Sequence, residues 1–152
     1  AVRTYRERFD TIGLMENALY DGVPQMLEAL HAEGLRLSIA TSKPTVYAKR
    51  IVRNFGIDGL LDHVVGSNID GSRVDKTEVV RFAMGQYANA TSDDFIMVGD
   101  RKHDMVGAAN CGAWAVGGLY GYGSREELET FKPAALAESV ADLRDVLLRL
   151  TR

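Results

Sequence analysis

The stretch Phe95-Ile96-Met97-Val98-Gly99-Asp100-Arg101-Lys102-His103-Asp104 decides how the chain is read. Its four leading apolar residues form the short continuous run of a strand buried on both faces, as strands of parallel sheets are. Gly99 breaks the run and two carboxylates follow. With Asp100 at the strand tip and Asp104 opening the next helix, both converge on one point. Open α/β sheets place their chemistry there, beyond the carboxyl ends of the strands. Two such carboxylates suit a hard, oxygen-preferring cation such as Mg²⁺. The plainer reading is a solvated loop with an aspartate capping the helix. His103 lies between them, but His31, His63 and His103 show no ligand spacing.

Outward from this stretch, strand and helix alternate. Asp21-Gly22-Val23-Pro24 starts a helix, with Asp21 or Gly22 as cap and Pro24 in its first turn, and Gly34 ends it. Leu35 to Ala40 reads as a strand. Pro44 starts a second helix with Tyr47, Ile51, Val52 and Phe55 as its apolar stripe and Gly56 at its end. His63 to Val65 is a brief strand and Asn68 to Val74 a turn-rich loop. Lys76 opens a helix reaching about Tyr87, and Asp104 opens a short one reaching about Asn110. Ala113 to Val116 is another strand, with Trp114 in the core, followed by a glycine-rich loop from Gly117 to Gly123. Ser124 with Glu127, and Ser139 with Asp142, have capping-box spacing. The last helix runs from Val140 to about Leu150. The alternation from residue 21 onward predicts an α/β domain of three layers, a mostly parallel sheet between helices. Ala1 to Tyr20 is helical in flavour, interrupted by Gly13, and reads as the tail of something larger.

A length of 152 residues, 46% hydrophobic and 26% charged, suits one soluble domain with a real core. The net charge of −3 and short basic clusters argue against nucleic acid or membrane partners. Cys111 is the only cysteine, so no intramolecular disulfide forms, which fits a cytoplasmic location. No apolar run approaches the roughly 20 residues that span a bilayer.

Three loops leave strand ends with polar groups: Thr41-Ser42-Lys43, the region leading to Lys76, and Asp100 with Asp104. Phosphoryl transfer asks mainly for positioning and charge neutralisation. A metal held by carboxylates, a lysine, and a hydroxyl beside backbone N–H groups at a helix start supply these. Thr41, Lys76 and Asp100 are the right types for those jobs. Ser42 serves equally as a phosphate contact or a helix cap. Lys43, Arg101 and Lys102 read as solvated charges and Cys111 as a buried small residue.

The segments LSIATSKPT (37–45), VDKTEVVRFA (74–83) and IMVGDRKHDMVGAANCGAWAVGGLYGYGS (96–124) together resemble the haloacid dehalogenase superfamily, in its phosphoglycolate phosphatase-like branch with a helical cap. The likeness runs in order over Tyr20 to Leu150. It implies a Rossmann-like core at 21–152 with 1–20 as the remnant of a helical cap. The implied activity is Mg²⁺-dependent hydrolysis of a small phosphorylated metabolite, as in phosphoglycolate phosphatases or 5'-nucleotidases. By the resemblance, Thr41 and Lys76 are catalytic. Thr41, Ser42 and Lys76 contact the phosphoryl group, and Asp100 and Asp104 hold the metal. The family's nucleophile is an aspartate of an Asp-x-Asp motif on an earlier, central strand.

No Asp-x-Asp lies upstream of Thr41 in this sequence. Asp70-Gly71 mimics the tail of one but reads as a turn. The expectation is therefore a catalytically incomplete C-terminal portion lacking the central strand, with an open slot that favours self-association. The alternatives are a non-catalytic relative that binds an anion or metal, or assembles with a partner segment, and a phospho-accepting receiver domain. The receiver would place its acidic residues before the threonine and lysine.

Overall fold

In the computed structural model, residues 2–5, 22–73 and 75–151 are described, the first four by their backbone alone. One six-stranded sheet, parallel throughout, organises them. Its strands are β1 (Val2–Tyr5), β2 (Arg36–Pro44), β3 (His63–Ser67), β4 (Phe95–Gly99), β5 (Trp114–Gly118) and β6 (Ala135–Ala137). The helices are α1 (Val23–Ala32), α2 (Thr45–Asn54), α3 (Lys76–Gly85), α4 (Lys102–Asn110), α5 (Arg125–Glu129) and α6 (Val140–Leu150). The strand order is β3-β2-β1-β4-β5-β6.

The period-2 alternation of the strands divides the core. Leu37 and Ile39 of β2 and Ile96 and Val98 of β4 pack with Val23, Leu27 and Leu30 of α1 and Leu143, Val146 and Leu147 of α6. Ala40 and Met97 point the other way, against Val79, Val80 and Ala83 of α3 and Ala108 of α4. Both sheet faces are thus covered, as an all-parallel sheet requires. Burying each of these leucines contributes roughly 1.5–3 kcal/mol. On the second face Tyr87 hydrogen-bonds Ser38 and stacks edge-on against Phe95. Burial pushes the Tyr87 phenol above its usual range.

The central position between β2 and β4 corrects the expectation of an open slot. Val2 lies level with Arg36 and Phe95, and Tyr5 with Ile39 and Val98. An empty slot would leave two inward edges of N–H and C=O groups unpaired, and a short extended segment satisfies both. With the slot filled by this chain's own residues, the reason for self-association through it disappears. The reading of 1–20 as a cap remnant otherwise falls on residue 1 and residues 6–20, outside the described residues.

Two further expectations change. β2 runs through Thr41 to Pro44, so Pro44 caps α2 from outside instead of starting it. A register irregularity between Ala40 and Pro44 brings the chain over Gly66, where an added Cβ would stand 2.2 Å from Lys43 O. Trp114 is 53% exposed and not in the core. It lies level with Ile96 of β4, but β6 joins β5 only from Val116 onward, so its strand start is covered on one side alone. β6 and α5 carried too little periodicity to be read from sequence. Among the described residues no helix is long and apolar enough to cross a membrane.

Candidate functional site

All strands point the same way, so β2 and β4, on either side of β1, deliver their ends to one rim. Thr41 stands two residues beyond Ile39, and Asp100 two beyond Val98, the residues level with Tyr5. Thr41, Lys76, Asp100 and Asp104 are all buried.

Lys76 ties the rim together. It is only 5% exposed, although lysines are mostly surface residues. Its Nζ donates to Ala40 O at 3.0 Å and pairs with Asp104 Oδ1 at 3.1 Å. One side chain from α3 therefore joins the end of β2 to the start of α4. Close packing of α3 on α4 makes this reach workable. A Cβ on Gly107 would stand 3.1 Å from Lys76 Cγ. Asp75 caps α3 by accepting from Thr77 N at 2.7 Å, which leaves Lys76 as the first helical residue.

Asp104 is fully buried in the first turn of α4. Its Oδ2 accepts from the backbone N–H groups of Asp100 and Arg101, both at 3.2 Å. The same carboxylate thus faces the lysine on one oxygen and two helix-start amides on the other, where negative charge is favoured. Gly99 is required for this closure: a Cβ there would lie 2.2 Å from Asp104 Cβ.

Asp100 is held from the opposite side by the loop after β5. Its Oδ2 accepts from Tyr122 N at 3.2 Å, and its carbonyl oxygen accepts from Gly123 N at 2.8 Å. A Cβ on Gly121 would lie 2.2 Å from Asp100 Oδ2, and one on Gly123 2.1 Å from Asp100 O. Sequence reasoning reads Gly117 to Gly123 only as a glycine-rich loop, yet here the backbone must approach the Asp100 carboxylate at Gly121 and the Asp100 carbonyl at Gly123 more closely than any side chain permits. Glu127 was also missed. Ser124 does accept from Glu127 N at 3.1 Å, as the capping-box spacing predicts. The Glu127 carboxylate, however, turns to α4, accepting from Arg101 Nε at 3.1 Å and Lys102 N at 2.9 Å. Burial pushes its carboxyl up, but the Arg101 guanidinium and the Lys102 amide hold it below its usual value.

On the β2 side the frame is looser. Thr41 Oγ1 accepts from Lys43 N at 3.2 Å, and Ser42 is half-buried. Ser42 is not the helix cap, because that position belongs to Pro44. Asp70 is far from such a setting. Its Oδ1 accepts from Ser72 N at 2.9 Å and Ser72 Oγ at 2.7 Å, an exposed turn of the kind read from Asp-Gly. Those bonds hold its carboxyl below the usual range. Cys111 is half-buried, and burial pushes its thiol up.

A family profile described as haloacid dehalogenase-like hydrolase matches residues 1–117. A 5'-nucleotidase from Pseudomonas aeruginosa is 42% identical over 147 residues, covering 97% of this chain and 66% of its own length. A protein from Mycobacterium tuberculosis named tyrosine-protein kinase PtkA is 35% identical over 149 residues, covering 97% of this chain and 51% of its own. The crystal structure of a predicted phosphatase from Clostridium acetobutylicum superposes with a TM-score of 0.87 at 40% identity, over 91% of this chain and 64% of that one. The chain thus spans about half to two thirds of the length of these relatives.

Proposed function

The chain belongs to the haloacid dehalogenase-like hydrolase family, and we propose that it carries the phosphate- and Mg²⁺-binding part of a phosphomonoester hydrolase. The observation that carries the reading is the buried Ala40–Lys76–Asp104–Asp100 connection. It holds a cation and two carboxylates at the rim where a parallel sheet presents its chemistry.

The donor set fits Mg²⁺. Two carboxylates open one helix, and among the described residues no group of three or more His, Cys, Asp or Glu side chains is assembled. Mg²⁺ is commonly held by one or two carboxylates, with waters and substrate phosphate completing its shell. Asp104 is engaged by Lys76 and two amides and orients the Asp100 turn, and Asp100 with Asp104 would hold the cation. The bound ion would neutralise charge on the phosphoryl oxygens.

Thr41 donates its hydroxyl to a phosphoryl oxygen, with Ser42 beside it. Lys76 places its positive charge between that oxygen and the carboxylates. The residues following β1 in sequence are Arg6-Glu7-Arg8, with no aspartate to attack phosphorus. On this reading the chain binds the phosphoryl group but lacks the nucleophile. The kinase name of one relative does not alter the assignment, since transfer to water and to a hydroxyl use the same positioning parts. The substrate class is a small phosphorylated metabolite.

The test is calorimetric titration of Mg²⁺ and of inorganic phosphate, alongside hydrolysis of an aryl phosphate with Mg²⁺ or chelator. The expected result is saturable binding of both ions, lost in Asp100→Asn for Mg²⁺ and in Thr41→Val for phosphate, without turnover. Chelator-sensitive turnover would overturn the incompleteness. Absence of both binding events would overturn the phosphatase reading itself.

A further inference from the structure

We propose that the groove along the outer edge of β3 is a second binding site, specific for a small polyanion carrying charge at both ends, such as a bisphosphate or polycarboxylate. The inference does not rest on the function assigned to the rim.

A cavity of about 360 Å³ runs along this edge. That volume lies in the range of small-molecule sites. Its floor is Val64 and Val65, one wall is α2 with Thr45 and Lys49, and the other is α3 with Phe82 and Gln86. Arg73 and His63 complete it.

An exposed sheet edge ordinarily invites another strand. Here the edge is already engaged. Gly66 N donates to Thr45 Oγ1 at 2.9 Å, and Gly66 O accepts from Arg73 Nε at 2.9 Å. Both backbone groups of Gly66 are therefore taken by side chains, which favours a ligand in the groove over an added strand.

The cations are placed in advance. Arg73 has φ +54°, in the left-handed region. Its guanidinium carbon lies 3.9 Å from the centroid of the Phe82 ring. With Nε on Gly66 O and its plane against the ring, its remaining N–H groups are fixed in direction, which reduces the ordering cost of binding. Lys49 stands on the opposite wall. Among the described residues neither Lys49 nor Arg73 lies within ion-pair distance of a carboxylate. The one acidic group lining the groove, Asp62, is matched by Arg36 Nε at 3.3 Å and Leu37 N at 3.0 Å. Glu78 and Arg81 together line a separate cavity beside Arg73 and Phe82.

The result is a positive groove on a chain of net charge −3. Two cations on opposite walls match an anion with two charged groups better than a single phosphate. Gln86 adds an amide to the lining, while the Thr45 hydroxyl is engaged by Gly66 N at 2.9 Å and Ser67 O at 3.3 Å and fixes the α2 wall to the strand.

The test is titration of the full chain with inorganic pyrophosphate, and separately with citrate, in EDTA, followed by ¹H–¹⁵N NMR. EDTA removes divalent ions that would draw pyrophosphate to the Asp100 rim. Saturable shifts at Val64, Val65, Phe82 and Gln86 are expected, with inorganic phosphate binding at least tenfold more weakly. Lys49→Gln, an exposed helix position that leaves the fold intact, should weaken pyrophosphate at least tenfold, and Arg73→Gln likewise. Shifts confined to Thr41, Lys76 and Asp100, or affinity unchanged in Lys49→Gln, would overturn the proposal. Failure of Mg²⁺ binding at Asp100 would leave it standing.

Discussion

The two strand-to-helix junctions that frame the rim are built differently. At β4–α4 a carboxylate in the first helical turn closes back on the strand end, is paired with a buried lysine and excludes solvent. At β2–α2 no side chain caps the helix, the register is irregular, and Val46 and Tyr47 remain substantially exposed. Each junction needs a glycine, but from different places. Gly99 belongs to β4 itself, whereas Gly66 is supplied by the neighbouring strand β3. The difference teaches a division of labour. The β4–α4 junction is a fixed frame for charge, and the β2–α2 junction is a less braced lip that carries the buried Thr41 and the half-buried Ser42.

The contrast is most sharply tested at Asp104. Asp104→Ala strands the Lys76 ammonium in the core, and losing one partner of a buried pair costs about 3–5 kcal/mol. Urea unfolding should show this as a lower midpoint at constant slope. The double variant Lys76→Met/Asp104→Leu should recover most of the loss, since no charge is left buried. A loss below 1 kcal/mol in Asp104→Ala would mean the junction is not held by the pair. Gly99→Ala comes next. Its Cβ meets Asp104 Cβ at 2.2 Å, so the helix start must shift, at about 1–3 kcal/mol as for other overpacked sites.

At the looser junction the expected pattern inverts. Thr41→Val keeps the shape and loses a hydroxyl that accepts from Lys43 N at 3.2 Å. Stability should fall by only about 0.5–1.5 kcal/mol, the value of one hydrogen bond. Phosphate affinity should fall much further, read by calorimetry. A stability loss as large as that of Asp104→Ala would erase the distinction between frame and lip.

The same contrast explains what could be read from the sequence. The β4–α4 stretch was legible because an unbroken apolar run, a glycine and two carboxylates are local signals. Lys76 was legible only through the family pattern, since nothing near it in sequence announces that it is buried. The β5–α5 loop was not legible as part of the site. Gly121, Tyr122 and Gly123 act through backbone geometry, and Glu127 reaches from α5 to Arg101 and Lys102 at the start of α4. Contacts of that kind depend on strand order, which periodicity does not report. The occupied central position was misread for a related reason. The residues 2–5 have no strand alternation of their own, and their pairing follows from the two edges they bridge. Trp114 was misread because aromatic content marks the strand but not how far its neighbour extends.

The smallest expected effect concerns Glu127, which braces the fixed junction from outside. Its carboxyl is held below the ordinary value of 4.5 in the folded chain by Arg101 and the Lys102 amide, against the opposing effect of burial. A group depressed in the folded state contributes stability that is present above its unfolded pKa and is lost as pH falls through the folded one. The contribution of Glu127 should therefore be intact at neutral pH and disappear in the acid range below about 4.5. The Arg101–Glu127 pair is partly exposed, so the magnitude should be that of a screened ion pair, about 0.2–1 kcal/mol. Glu127→Gln should lower stability by this amount at pH 7 and by almost nothing at pH 3, and the difference should shrink in high salt. If Mg²⁺ affinity at the rim also drops in Glu127→Gln at pH 7, the brace reaches the charge frame. If affinity is unchanged while stability falls, the β4–α4 junction is rigid on its own and Glu127 merely anchors α5.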